Sequence, residues 1–287
     1  MTRVRIDAHM HFWRYNPAEY GWIDDSMASL QRDFLPEDAA REMRAAGMDS
    51  CVAVQVRQTL EETRWLLKLA DAHPFIAGVV GWVDLRSVHL DAELESIAAH
   101  PQLVGVRHIV QAEPDDFLSG EVFRRGVARL ARHGLTYDIL VYARQLPAAI
   151  DFATALPGER LVLDHLGKPD IRAGGFEGWR RNLDRLAALP NVFAKLSGLV
   201  TEADWNRWTI EDLHRYINAA LDSFGPERLM IGSDWPVCTV AGRYGEVLEV
   251  VRTALSGRSL ADRDAVLGNT ARRFWNLPDV PSMERSV

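Results

Sequence analysis

Cysteine is nearly absent. Cys51 and Cys238 are the only two in 287 residues, and neither belongs to a CxxC or CxxH pair, which excludes a disulfide scaffold. Both sit in apolar surroundings and are expected to be buried free thiols. Lysine is scarce as well: of 33 basic residues only Lys68, Lys168 and Lys195 are lysines. With 40 acidic residues the formal net charge is −7, so a broad basic face for nucleic acid or anionic lipid has little to be built from. A small-molecule partner is the expectation. No apolar stretch approaches the roughly 18 residues of a membrane span, and the start, MTRVRIDAHMHFW, carries no apolar signal core. The chain reads as cytoplasmic. Its 47% hydrophobic and 25% charged residues exclude disorder, and the oligomeric state is left open.

What is present is alternation. Short apolar runs at Val4 to His9, Ser50 to Val56, Ile76 to Val83, Val104 to Ile109, Thr136 to Tyr142, Leu161 to His165, Val192 to Ser197 and Leu229 to Ser233 predict strands. Helical spacing fills the intervals: Pro36 to Gly47, Leu60 to His73, Leu90 to His100, Ser119 to Gly134, Leu146 to Leu156, Phe176 to Leu189, Ile210 to Phe224 and Arg243 to Ser256. Gly47, Pro74, Pro101, Gly134, Pro157-Gly158, Pro190-Asn191 and Gly225-Pro226 punctuate the helix-to-strand joints. Eight strands close a barrel, so a single α/β domain, a (β/α)8 TIM barrel over residues 1–276 with a tail at 277–287, is expected. A doubly wound open sheet is the rival, but neither GxGxxG nor a P-loop follows the first run.

The end of that run carries His9-Met10-His11 instead. Strand period two points both imidazoles to one side, an arrangement suited to a divalent metal such as zinc and equally open to a hydrogen-bonded pair. His165 ends the sixth run in LVLDHLGKP and Asp234 follows the eighth in LMIGSDWPV, so three separated strands deliver ligand-type residues to one end of the barrel.

The segments IDAHMHFW, GVVGWVDL, GVRHI, LDHLGKP, KLSGL and IGSDWPV occur in that order at barrel-like spacing over nearly the whole chain. In this the sequence resembles the amidohydrolase superfamily, in the branch of metal-dependent hydrolases holding sugar lactonases and the 2-pyrone-4,6-dicarboxylate lactonase. The likeness is greatest to enzymes that open L-fuconolactone in sugar catabolism. It implies that His9, His11, His165 and Asp234 surround one centre for a single divalent metal ion, zinc by preference, with Asp234 also the general base. Dinuclear members carry a bridging carboxylated lysine at a strand end. Lys195 instead lies inside the seventh run, and no lysine ends the fourth or fifth.

Lactone hydrolysis requires a deprotonated water, positive character at the carbonyl oxygen and a proton for the leaving alkoxide. Asp234 suits the first, and either a metal or donor imidazoles suit the second, so the same four residues matter by either route. Arg107 and His108 end the fourth run, and adjacent strand residues point opposite ways, so one of them is expected to face the lumen. Lys168 is placed to grip a polyol oxygen. Gln55, Arg57, Tyr142 and Arg144 are candidates by position. Trp13, Trp82 and Trp235 stand near strand ends, and Trp13 and Trp82 are read as an aromatic wall for a sugar ring. The competing class is a metal-dependent decarboxylase of aromatic acids on the same barrel, and a third is a sugar- or metal-binding barrel without turnover.

Overall fold

Each of the eight apolar runs forms a strand in the computed structural model, which describes residues 3–278. They are β1 (Ile6–Met10), β2 (Ser50–Val54), β3 (Ile76–Gly81), β4 (Leu103–His108), β5 (Thr136–Ile139), β6 (Leu161–Leu163), β7 (Val192–Leu196) and β8 (Leu229–Ile231). The strands pair in parallel in chain order, β1 to β8. Just past β8 the chain turns back onto β1: Asp234 N–H donates to His9 O at 2.9 Å and His11 N–H to Trp235 O at 2.7 Å. Almost every strand residue is buried, as expected where helices cover the outside and side chains fill the inside.

The helices are α1 (Pro36–Ala46), α2 (Leu60–Ala72), α3 (Leu90–Ala98), α4 (Glu121–Val127), α5 (Leu146–Ala155), α6 (Phe176–Ala187), α7 (Ile210–Phe224), α8 (Tyr244–Ala254), α9 (Leu260–Asp264) and α10 (Thr270–Trp275). Their ends follow from local chemistry. Pro36 opens α1 with its missing N–H and Gly47 closes it at φ 67°, while Thr209 and Asp212 form a reciprocal cap on α7. The helix expected over Ser119 to Gly134 is shorter. It ends at Val127 and continues as a 3-10 turn, with Arg132 N–H donating to Arg129 O and Gly134 N–H to Ala131 O, which gives the terminal carbonyls partners.

Inside the barrel the chemistry is layered. Ile6, Val52, Val54, Val80, Val104, Val162 and Met230 pack on Phe274 and Trp275 from α10, which seals the N-terminal ends of the strands. Trp275 Nε1–H donates to Thr136 Oγ1 at 3.0 Å, and Arg160 donates to Phe274 O at 2.7 Å. No periodic signal in the sequence predicts this plug. The expected tail begins with Leu277, which is buried in this apolar layer, and beyond residue 278 it lies outside the described residues. Among the described residues no helix is long and apolar enough to cross a membrane.

Candidate active site

At the opposite end of the strands, His9 and His11 converge as their period predicts, with Nε2 atoms 3.1 Å apart. Between Asp7 and Met10 the strand gains one residue on its partner, which bends β1 beside His9. His11 is held through Nδ1, 2.8 Å from the Val54 carbonyl, so that Nδ1–H donates there and the Nε2 lone pair faces the centre. Asp234 Oδ1 lies 3.2 Å from His11 Nε2, 3.8 Å from His9 Nε2 and 3.9 Å from His165 Nε2. Both Asp234 and His165 sit in the left-handed backbone region, at φ 60° and 52°, an unfavourable conformation for non-glycine residues of a kind that collects at functional sites.

His165 is fixed from behind. Its Nδ1 lies 2.9 Å from Ser197 Oγ, and Gly198, at φ 63°, leaves no room for a Cβ, which would stand 2.5 Å from that nitrogen. Burial pushes the His165 imidazole down to about 4 and takes His9 well below its ordinary range, so both rings are neutral at pH 7. Burial also opposes ionisation of Asp234, yet His165, His11 and His9 together outweigh it and hold the carboxyl below the usual carboxylate range. An ionised carboxylate beside the neutral rings of His9 and His165 is the result. His9, His11 and Asp234 bring three ligand atoms within 4.8 Å of one another, a nitrogen and oxygen donor set that fits zinc.

Beneath this centre lies a layer of charge. Arg107 reaches inward, with Nη1 3.0 Å from Asp164 Oδ2 and 3.2 Å from His9 Nε2, while Nη2 donates to the Gln55 carbonyl. Lys195 is fully enclosed against Asp138, Asp164 and His9. His108 turns the other way, as alternation requires: its Nε2 is 2.8 Å from Glu113 Oε1, Trp82 Nε1–H points at its Nδ1 from 3.4 Å, and its ring stacks on Phe117. Burial lowers the His108 pKa.

Lys168 pairs with Glu202 at 2.9 Å over the ring of Tyr142; the carboxylate outweighs burial and raises the ammonium pKa. Trp13 is wholly buried in a cluster with Tyr20, Trp22 and Phe34, and its Nε1–H donates to Arg32 O, so it packs the loop after β1. Trp235 is buried against Phe12 and Phe34. Arg57 contacts Glu19, and Arg144 pairs with Asp115 away from the imidazoles. Cys51 and Cys238 are buried free thiols. The structure adds Asp138, Asp164 and Ser197 to the residues read from sequence.

Similarity to known proteins follows the same pattern. The chain is 45% identical over 291 residues to an L-fucono-1,5-lactonase of Burkholderia multivorans (strain ATCC 17616 / 249), covering 97% of this chain and 98% of that protein. It is 41% identical over 246 residues to an L-fucono-1,5-lactonase of Burkholderia ambifaria, covering 84% and 83%. A crystal structure of an amidohydrolase from Burkholderia multivorans with bound zinc has a TM-score of 0.93 at 44% identity, covering 96% of this chain and all of that one. With residues 6–277, all eight strands included, matching the Amidohydrolase family, the chain belongs to the amidohydrolases.

Proposed function

We propose that this chain is a hydrolase that opens a sugar-acid lactone, L-fuconolactone or a similarly configured aldonolactone, to the free acid. The observation that carries the reading is the meeting of an ionised Asp234 with His9, His11 and His165 at the strand ends, in a chain so similar to the Burkholderia lactonases. Asp234 takes a proton at its carboxylate from a water that attacks the lactone carbonyl carbon. The oxyanion formed is met by donors at the centre, the His165 imidazole and the Arg107 guanidinium, since His11 turns its lone pair there. The ring C–O bond then breaks, and the departing alkoxide recovers the proton held on Asp234, so the carboxylate is regenerated.

Amidohydrolases are metal-dependent, and His9, His11 and Asp234, with His165 beside them, are the residues that would hold one zinc ion. Bound there, it would supply Lewis-acid polarisation of the carbonyl. Lys168, set by Glu202 and Tyr142, is assigned to a sugar hydroxyl, with Trp82 and His108 forming the adjoining wall and Trp13 supporting it from the core. Unpaired Cys51 and Cys238 suit work in the cytoplasm. No observation favours the decarboxylase reading, since charged and polar groups, not stacked apolar rings, face the imidazoles.

A pH-indicator assay over a panel of lactones, before and after chelation, tests this reading. L-fucono-, D-arabinono- and L-galactonolactones are expected to be hydrolysed well, unsubstituted lactones at least about 100-fold more poorly because pocket groups made for hydroxyls are left unpaired, and amides hardly at all. Best turnover of valerolactone or of an aromatic dicarboxylate lactone would contradict the pocket assignment.

A further inference from the structure

The charged layer below the imidazoles enters the steps above only through Arg107, and its composition demands a reason. Arg107, Asp138, Asp164 and Lys195 are all buried at 3% exposure or less. An ammonium taken from water into such a place costs several kcal/mol unless partners surround it. Lys195 Nζ has them: it contacts Asp138 Oδ2, stands 2.9 Å from Asp164 Oδ1 and 3.2 Å from His9 Nδ1, and lies 5.1 Å from the ring centroid of Trp275. Two carboxylates and one imidazole thus converge on a single point. His9 and Asp164 are also two of a trio, with His165, whose donor atoms lie within 4.8 Å of one another, a divalent-ion donor set against which the lysine ammonium stands.

We propose that Lys195 is a resident cation that stands in for a metal ion beneath the centre, acting as a positioning residue through His9 and Asp164 and denying this second cage to zinc. The proposal rests on the reading of the upper centre given above. Three observations support it. Asp138 Oδ1 is buried without a hydrogen-bond partner among the described residues, so the cage retains acceptor capacity beyond what the ammonium uses. Arg107 and Lys195 face Asp138 and Asp164, two cationic side chains against two carboxyls, so loss of the ammonium leaves the buried carboxyls with one cation fewer. His9 is the shared wall: its Nδ1 faces Lys195 and its Nε2 faces His11, so whatever fills the lower cage also aims the ring into the upper one.

Zinc content at saturating metal tests the proposal independently of turnover. The native chain is expected to hold no more than one ion, and Lys195→Ala one more than the native chain, with n-propylammonium, which restores the deleted group, displacing the additional ion. A second ion in the native chain, or no gain in a folded Lys195→Ala, would overturn the proposal. Should Lys195→Ala be unfolded as purified, zinc or n-propylammonium is expected to restore its near-UV circular dichroism, and failure of both would overturn it too. The native baseline separates the two claims. A native chain that binds no zinc removes the metal from the upper centre, whereas equal binding by native and variant chains removes only the role of Lys195.

Discussion

Ser197 Oγ stands 2.9 Å from Nδ1 of His165 and thereby fixes which edge of that imidazole faces Asp234. A hydroxyl can accept from Nδ1–H or donate to a bare Nδ1, so it supports the ring both as a lone-pair ligand and as an N–H donor to an oxyanion. Ser197→Ala is expected to lower kcat about 10-fold, the low end for losing such a support, with native circular dichroism. Unchanged kcat would assign the orientation of His165 to packing alone.

Gly198 applies the same constraint sterically. A Cβ there would stand 2.5 Å from His165 Nδ1 and 2.6 Å from Cγ, on a backbone at φ 63° that costs a side chain about 1 kcal/mol before any clash. Gly198→Ala is expected to lower both Tm and activity, and to do so more than Ser197→Ala. Thermal melting together with a lactone assay decides it.

Glu62 provides a pH test away from the imidazoles. Its Oε2 accepts from the Val56 and Arg57 amides behind β2, but burial outweighs these bonds and pushes the carboxyl up from 4.5 to about 7. A carboxyl whose folded pKa is raised favours the fold in its protonated form. That contribution is fully present below pH 4.5 and is lost as the pH rises through about 7. Relative to Glu62→Gln, the native chain is expected to lose up to about 3 kcal/mol of stability between pH 4.5 and 8, measured by denaturant titration. Parallel curves would show that the carboxyl titrates normally.

Metal content tests the upper centre. Protein grown with zinc is expected to hold at most about one ion per chain there, and His11→Ala to hold less, because one of few protein ligands is gone. Elemental analysis showing unchanged occupancy in His11→Ala would make His11 structural.

The barrel was legible because buried parallel strands read as uninterrupted apolar runs, and the four centre residues because each stands where such a run ends. The charged layer carried a signal as well. Arg107 in VGVRH, Asp138 in TYDIL, Asp164 in LVLD and Lys195 in VFAKL are charges inside or closing runs that are otherwise apolar, and a buried charge must find a partner. Which charge meets which depends on register around the barrel, and no local pattern specifies that. Trp13 shows the converse. Its nearness to a strand end suggested a sugar wall, but its backbone pairs with Phe34 and the indole is enclosed by the returning loop, a contact made over twenty residues away in sequence. The plug α10 escaped because TARRFW is too short for helical period to show.

The role of Asp234 is the central claim, and its most direct test is the turnover of L-fucono-1,5-lactone by Asp234→Asn. The amide keeps the shape of the side chain and removes its basicity. With circular dichroism matching the native chain, kcat is expected to fall at least about 100-fold, the low end of what a general base contributes. A folded Asp234→Asn that hydrolyses the lactone at near-native rate would contradict the account.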